Sequence, residues 1–176
     1  MIRVVITGSE CTGKTTLARA LAAHFNTPWM PEYVREFVAT KGASPEAADV
    51  EAIARGQIAR EDAVAARRPD LLIQDTDLLS TVLYSHHYYG GCPAWIEQAA
   101  MRRAGDLYLL AGIDVPWVAD GAQRDRPGER ETMQELFRVA LTERALPFVS
   151  LEGAHEQRLA AAVAAVGGLG CAVVSG

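Results

Sequence analysis

Gly8-Ser9-Glu10-Cys11-Thr12-Gly13-Lys14-Thr15 is the stretch that decides the reading of this chain. It is a complete G-x-x-x-x-G-K-[ST] run. It stands between the apolar segment Val4-Val5-Ile6 and an amphipathic segment over residues 14–25, with Leu17, Leu21 and His24 on one stripe. A strand feeding such a loop and a helix leaving it is the setting in which this pattern binds polyphosphate. The glycines let backbone N–H groups turn inward, and the partial positive charge of a helix N-terminus adds to them. Gly8, Ser9, Glu10, Cys11, Thr12, Gly13, Lys14, Thr15 and Thr16 are therefore the expected nucleotide contacts. Lys14 is expected on the β- and γ-phosphates and the Thr15 hydroxyl on Mg²⁺, which makes ATP and Mg²⁺ the expected cofactors.

Outward from the loop, short apolar runs alternate with longer helical stretches. Strands are predicted at 3–7, 27–30, 71–74, 106–110 and 147–151, and helices at 14–25, 45–67, 78–88, 93–103, 128–144 and 154–166. Most of the strands are continuous apolar runs, as when helices cover both faces of a parallel sheet. Pro28 and Pro31 bracket the second strand and cannot donate to a ladder, so it is expected to be short and at an edge. This succession predicts a doubly wound α/β fold with right-handed crossovers. No internal repeat, low-complexity tract or linker interrupts it, so residues 1–176 are read as one domain.

Composition narrows the function classes. With 176 residues, 49% hydrophobic, 22% charged and 7% aromatic, the chain is not disordered, collagen-like or coiled coil. Its formal charge of −5 and the lack of any Lys/Arg run exclude a dedicated nucleic-acid binder. Lys14 and Lys41 are the only lysines among 17 basic side chains, so a lysine at a demanding position stands out. Cys11, Cys92 and Cys171 form no CxxC pair and leave one over, which suits a reducing, cytoplasmic setting. Residues 159–176 hold no charge, but they are Ala- and Gly-rich and interrupted by Gly167-Gly168. They read as a soluble terminal helix and a tail over 167–176, flexible or an edge strand, with no membrane partner. Nothing here opposes a homo-oligomer.

Four further stretches bear on chemistry. Leu71-Leu72-Ile73-Gln74 delivers Asp75-Thr76-Asp77 to the C-terminal end of a strand, where ligands of open α/β sheets bind. One carboxylate is expected to hold the metal with Thr15, and the other to orient or deprotonate a hydroxyl. Capping of the following helix by Asp75 or Thr76 is the competing reading. Glu32-Tyr33-Val34-Arg35-Glu36 offers an acceptor for a hydroxyl proton and a guanidinium, and a solvated helix start explains the same residues equally well. Residues 114–130 gather Arg124, Arg126 and Arg130 beside Gly and Pro hinges, the composition of a lid closing over a transferring phosphoryl group or of a long solvated loop. His86 and His87, in tandem, point apart on a helix and do not make a metal site, while Tyr88 and Tyr89 are either helix-end packing or a stacking surface for a flat base. Cys11 lies inside the loop, so thiol alkylation is expected to block activity and bound ATP to protect.

These residues together resemble the ribosylnicotinamide kinase domain of the bifunctional NAD-biosynthesis regulator of bacteria. The motifs are Gly8–Thr15, Glu32-Tyr33 with Arg35-Glu36-Phe37, Asp75-Thr76-Asp77, Tyr88 before Gly90, and Trp117 with Asp120-Gly121 and Arg124. The resemblance implies a P-loop NTPase of the nucleoside- and nucleotide-kinase type, with a five-stranded parallel sheet of order 2-3-1-4-5, helices on both faces and a lid. It implies ATP-dependent phosphorylation of the ribose 5′-hydroxyl of nicotinamide riboside. Lys14, Glu32, Asp75, Asp77, Arg124, Arg126 and Arg130 are the expected catalytic set, and Glu32, Tyr33, Arg35, Tyr88, Trp117 and Asp120 the expected acceptor pocket. Where that family places a tryptophan directly before the Glu-Tyr pair, this chain has Pro31, with Trp29 two residues earlier. The chain begins at the strand feeding the phosphate loop, which predicts a stand-alone form without adenylyltransferase or DNA-binding parts. A regulatory GTPase would need Asn-Lys-x-Asp, and the only asparagine is Asn26, followed by Thr27. A nucleotide-sensing ATPase without a small-molecule acceptor is the rival function.

Overall fold

The computed structural model describes residues 1–116 and 127–170. Five parallel strands, β1 (Ile2–Thr7), β2 (Trp29–Met30), β3 (Leu71–Asp75), β4 (Leu107–Ala111) and β5 (Phe148–Leu151), form one sheet of order β2-β3-β1-β4-β5. The expected order is borne out. The two-residue β2 is at the edge, pairing Trp29 with Ile73 and Met30 with Gln74, because Pro28 and Pro31 stop it on either side. Helices α1 (Lys14–His24), α2 (Tyr33–Lys41), α3 (Val50–Ala65), α4 (Leu78–Tyr89), α5 (Ala94–Arg102), α6 (Arg130–Glu143) and α7 (His155–Gly167) complete the described residues, with 3₁₀ turns at Ala47–Asp49 and Pro127–Glu129.

Side chains alternate across the strands and make two cores. Val4, Ile6, Leu71, Ile73, Leu107 and Leu109 meet Leu17 and Leu21 of α1 and Ala162 and Val166 of α7. Val5, Tyr108 and Leu110 meet Leu79 and Leu83 of α4 and Met133 and Phe137 of α6. His24 is not part of the α1 stripe: it is exposed, and Ala18 and Ala22 fill the face beside Leu17 and Leu21. A third cluster joins α3, α4 and α5 around Val50, Ala54, Val82 and Ile96.

Two differences from expectation concern the stretch after β2. Tyr33–Lys41 is a helix, closed by Gly42 at φ 71, where no helix was assigned. Only Val34 of it is buried, so no apolar stripe announced it. Its stability comes from α3: the Tyr33 ring occupies the space a side chain on Gly56 would fill, and Arg60 pairs with Glu36. The helix expected over 45–67 is likewise shorter, its first turn being the 3₁₀ turn closed by Asp49 and Glu46. Trp117, Asp120, Arg124 and Arg126, like most of the expected lid and the last six residues, lie outside the described residues. No described helix is long and apolar enough to cross a membrane.

Candidate active site

Side chains of α1, α6 and α7 hold the backbone of the phosphate loop. Gly8 adopts φ +123 and lies so close to β4 that a Cβ would sit 2.8 Å from the Ala111 carbonyl, so no other residue fits there. Gly13, at φ +80, precedes α1, and no side chain caps that helix. Its first N–H groups are therefore left for an anion. Ser9 N–H donates to Gln134 Oε1 (3.1 Å), and Gln134 Nε2 donates to the Ala111 carbonyl. Arg130 donates to the Cys11 carbonyl (3.1 Å) and the Val115 carbonyl (2.9 Å). Arg158 donates to the Thr12 carbonyl (2.9 Å), the Gly112 and Gly153 carbonyls and Asp114. Lys14, 8% exposed, folds back so that Nζ donates to the Ser9 carbonyl (2.6 Å).

Asp75 is the last residue of β3, on the face that packs against α1. There it accepts the Thr15 hydroxyl at 2.5 Å. Its second oxygen, Oδ1, is buried without a partner among the described residues. Burial, and after it the negative charge of Glu32, pushes the Asp75 carboxyl above its ordinary value, against the pull of Thr15, Lys14 and Arg35. A buried carboxylate oxygen left unsatisfied costs about 1–3 kcal/mol. Thr15 Oγ1 and Asp75 Oδ1 together are a hard-oxygen pair of the kind that holds Mg²⁺ with substrate phosphates and water. No cluster of three or more His, Cys, Asp or Glu suited to a metal occurs among the described residues.

Thr76 stands at φ 64, a conformation a β-branched residue rarely adopts, and its N–H bonds the Ile6 carbonyl. This reversal sends Asp77 to the opposite face, where it opens α4. Asp77 Oδ1 accepts the Leu79 N–H (3.1 Å), and Oδ2 accepts the Tyr108 hydroxyl (2.7 Å). Burial raises its carboxyl to about 6, although the Tyr108 and Leu79 hydrogen bonds oppose the shift. Tyr108 is held firmly protonated, by burial and by the adjoining Asp77. The cap of α4 is therefore Asp77 and not the Asp75 or Thr76 of the capping reading, while Asp75 faces Thr15.

Beside Asp77 lies a pocket lined by Glu32, Gln57, Thr76, Asp77, Tyr84 and Tyr88, among others. Of the expected acceptor residues, Glu32 and Tyr88 line it. Arg35 is half exposed and reaches back to Glu32 (3.1 Å). Tyr33 turns away, its ring against Gly56 with the Arg60 guanidinium 5.1 Å from its centroid. Trp29 also points elsewhere, packed on the α1 side under Arg19. The aromatic wall is instead Tyr84 and Tyr88, stacked at 6.0 Å and 10°. A second cleft adjoins the phosphate loop, between Gly13 and Thr16 on one side and Val115, Pro116 and His155 on the other.

Arg130, expected to close over the transferring group, is anchored on loop carbonyls. Gln134, Arg158, Gln57 and Tyr108 were not foreseen. Only Arg158 left a trace, as the last charge before the uncharged run of residues 159–176, in a helix whose buried face is otherwise apolar.

The AAA domain family matches residues 3–158. The trifunctional NAD biosynthesis/regulator protein NadR of Escherichia coli (strain K12) is 30% identical over 154 residues, 85% of this chain and 38% of that protein. A crystal structure of NadR protein in complex with NR superposes over 94% of this chain and 50% of its own, with TM-score 0.81 and 24% identity. A second, in complex with NAD and AMP-PNP, covers 94% and 48%, with TM-score 0.76 and 24% identity. The chain therefore spans half or less of the length of these relatives. Its phosphate loop, sheet order and sequence agree: the chain belongs to the AAA domain family, and the resemblance of its motifs to the NAD-biosynthesis regulator holds across most of its length.

Proposed function

We propose that this protein is an ATP-dependent kinase that transfers the γ-phosphoryl group to the ribose 5′-hydroxyl of nicotinamide riboside. The observation that carries the reading is the adjacency of two sites at the end of β3. Asp75 meets the phosphate loop through Thr15, and two residues later Asp77 meets a pocket that also holds Glu32 and two stacked tyrosines. NadR protein has been crystallised with NR and with AMP-PNP, which supports both ligands for this chain.

ATP would lie with its phosphates on the loop amides and its nucleoside end toward the cleft at Thr16, Pro116 and His155. Lys14 would leave the Ser9 carbonyl for the β- and γ-phosphates. Thr15 and Asp75 would hold Mg²⁺, which supplies charge neutralisation of the phosphates. Glu32, which lines the pocket and is paired with Arg35, would orient the acceptor hydroxyl and accept its proton. Tyr84 and Tyr88 would stack on the base. Arg130 would act through the loop, fixing the carbonyl of Cys11 so that neighbouring amides face the phosphates. Arg124 and Arg126 would supply the closing guanidinium groups. A single domain with a lid, in a cytoplasmic setting, fits this role.

ADP release should be measured with a panel of nucleosides that includes nicotinamide riboside. Stimulation of at least tenfold by nicotinamide riboside, with a matching yield of nicotinamide mononucleotide, is expected. Slow ATP hydrolysis indifferent to every nucleoside would favour the nucleotide-sensing ATPase.

A further inference from the structure

The pocket and the phosphate loop are joined by one short piece of chain. The turn Pro127–Glu129 runs directly into α6. Glu129 Oε2 accepts the Tyr88 hydroxyl (3.1 Å) and lies 3.4 Å from His87 Nε2. The next residue, Arg130, holds the Cys11 carbonyl of the loop, and one turn further Gln134 holds Ser9 N–H. Phe137, another turn on, meets the Tyr84 ring edge-on at 6.0 Å. The 3₁₀ turn and the first two turns of α6 thus touch the aromatic wall of the pocket through Glu129 and Phe137, and the loop backbone through Arg130 and Gln134.

We propose that Glu129 is a positioning residue that ties the aromatic wall of the acceptor pocket to the phosphate loop, so that acceptor binding tightens binding of the nucleoside triphosphate. This rests on the reading of that pocket as the acceptor site. A base stacking on Tyr88 fixes its hydroxyl, which fixes Glu129 and, through the peptide bond, the Arg130 backbone. The loop carbonyl held by Arg130 then has fewer arrangements to lose when phosphate binds. By linkage, the nucleotide tightens the acceptor by the same factor. Tyr88 and Glu129 need no contact with nucleotide for this effect.

The test is calorimetric titration of AMP-PNP with Mg²⁺, with and without saturating nicotinamide riboside. It uses the wild type, Glu129→Ala, Tyr88→Phe and Glu131→Ala. The exposed Glu131 lies in the same first helical turn, so its removal alters the helix dipole interaction without touching the pocket wall. In the wild type, nicotinamide riboside should lower the AMP-PNP Kd by about fivefold or more. That ratio should fall below about twofold in Glu129→Ala and Tyr88→Phe and persist in Glu131→Ala. Without acceptor, hydrogen exchange of the loop amides at 8–13 should quicken in Glu129→Ala and not in Glu131→Ala. A coupling ratio and loop protection unchanged in Glu129→Ala would overturn the inference. Nicotinamide riboside binding without coupling in the wild type would remove this inference alone; absence of binding would remove the functional reading as well.

Discussion

Asp75 and Asp77 are two residues apart at the end of one strand, and the fold puts them to different uses. The phosphate-loop side leaves Asp75 with one oxygen on Thr15 and one buried oxygen without a partner among the described residues. The pocket side gives Asp77 a hydrogen bond at each oxygen, one from the start of α4 and one from Tyr108. Both carboxyls are raised by burial, yet only Asp75 keeps an oxygen with no hydrogen bond among the described residues. The separating element is Thr76, whose left-handed backbone turns the chain between two faces of the sheet. Sequence spacing alone could not divide these roles, because a two-residue spacing on a continuing strand would place both carboxylates on one face.

The widest gap between the two sides should appear in turnover. Lys14→Ala, on the phosphate-loop side, is expected to reduce kcat by about 10²–10³-fold or more, the scale of removing a preorganised transition-state donor, with thermal unfolding still cooperative. Retained turnover would break the account of this side. Asp75→Asn should cost about 10²-fold at saturating Mg²⁺, and raising Mg²⁺ should not rescue it. In the wild type, activity should rise with pH as Asp75 ionises, with an acid limb displaced above the ordinary carboxylate value of 3.8. Asp77→Asn keeps a residue that caps well, so its loss in kcat should stay within about tenfold. If the two asparagine variants lost activity equally, the contrast between the aspartates would fail.

The effects on stability fall on the pocket side. Tyr108→Phe leaves Asp77 Oδ2 and the Gly105 N–H without their partner and should destabilise the fold by about 1–3 kcal/mol in denaturant titration. Asp77 also sets a pH dependence of known sign. Its carboxyl, at about 6 in the fold against an ordinary 3.8, binds its proton more tightly when folded. Its contribution to stability is therefore complete below pH 3.8 and lost as pH rises through about 6. Stability of Asp77→Asn measured across that interval should lack this decline. An identical slope in variant and wild type would contradict the burial of Asp77. The smallest change sharpens the contrast from the loop side. Arg158→Gln should raise the KM for ATP more than it lowers kcat, because Arg158 touches the loop only at the Thr12 carbonyl.

The sequence made local order plain wherever one residue type had one physical use. Glycines at 8 and 13, a lysine at 14 and apolar strands before and after predicted the loop and the sheet, and two prolines predicted a short edge strand. Helix α2 was not legible because its residues pack on α3 through one ring over Gly56 rather than through an apolar stripe. Arg158 and Gln134 are more than 120 residues from the backbone groups they hold, Thr12 and Ser9, and nothing local marks such pairs. Tyr33 shows the opposite limit: an aromatic side chain near the right place in sequence was expected at the pocket, yet it packs on α3.

The most direct test of the account is a crystal structure with AMP-PNP and Mg²⁺. Lys14 Nζ should have left the Ser9 carbonyl, now at 2.6 Å, for the β- and γ-phosphate oxygens, and Mg²⁺ should be held at Thr15 and Asp75. A phosphate loop with Lys14 still on Ser9, and nucleotide bound elsewhere or not at all, would contradict it.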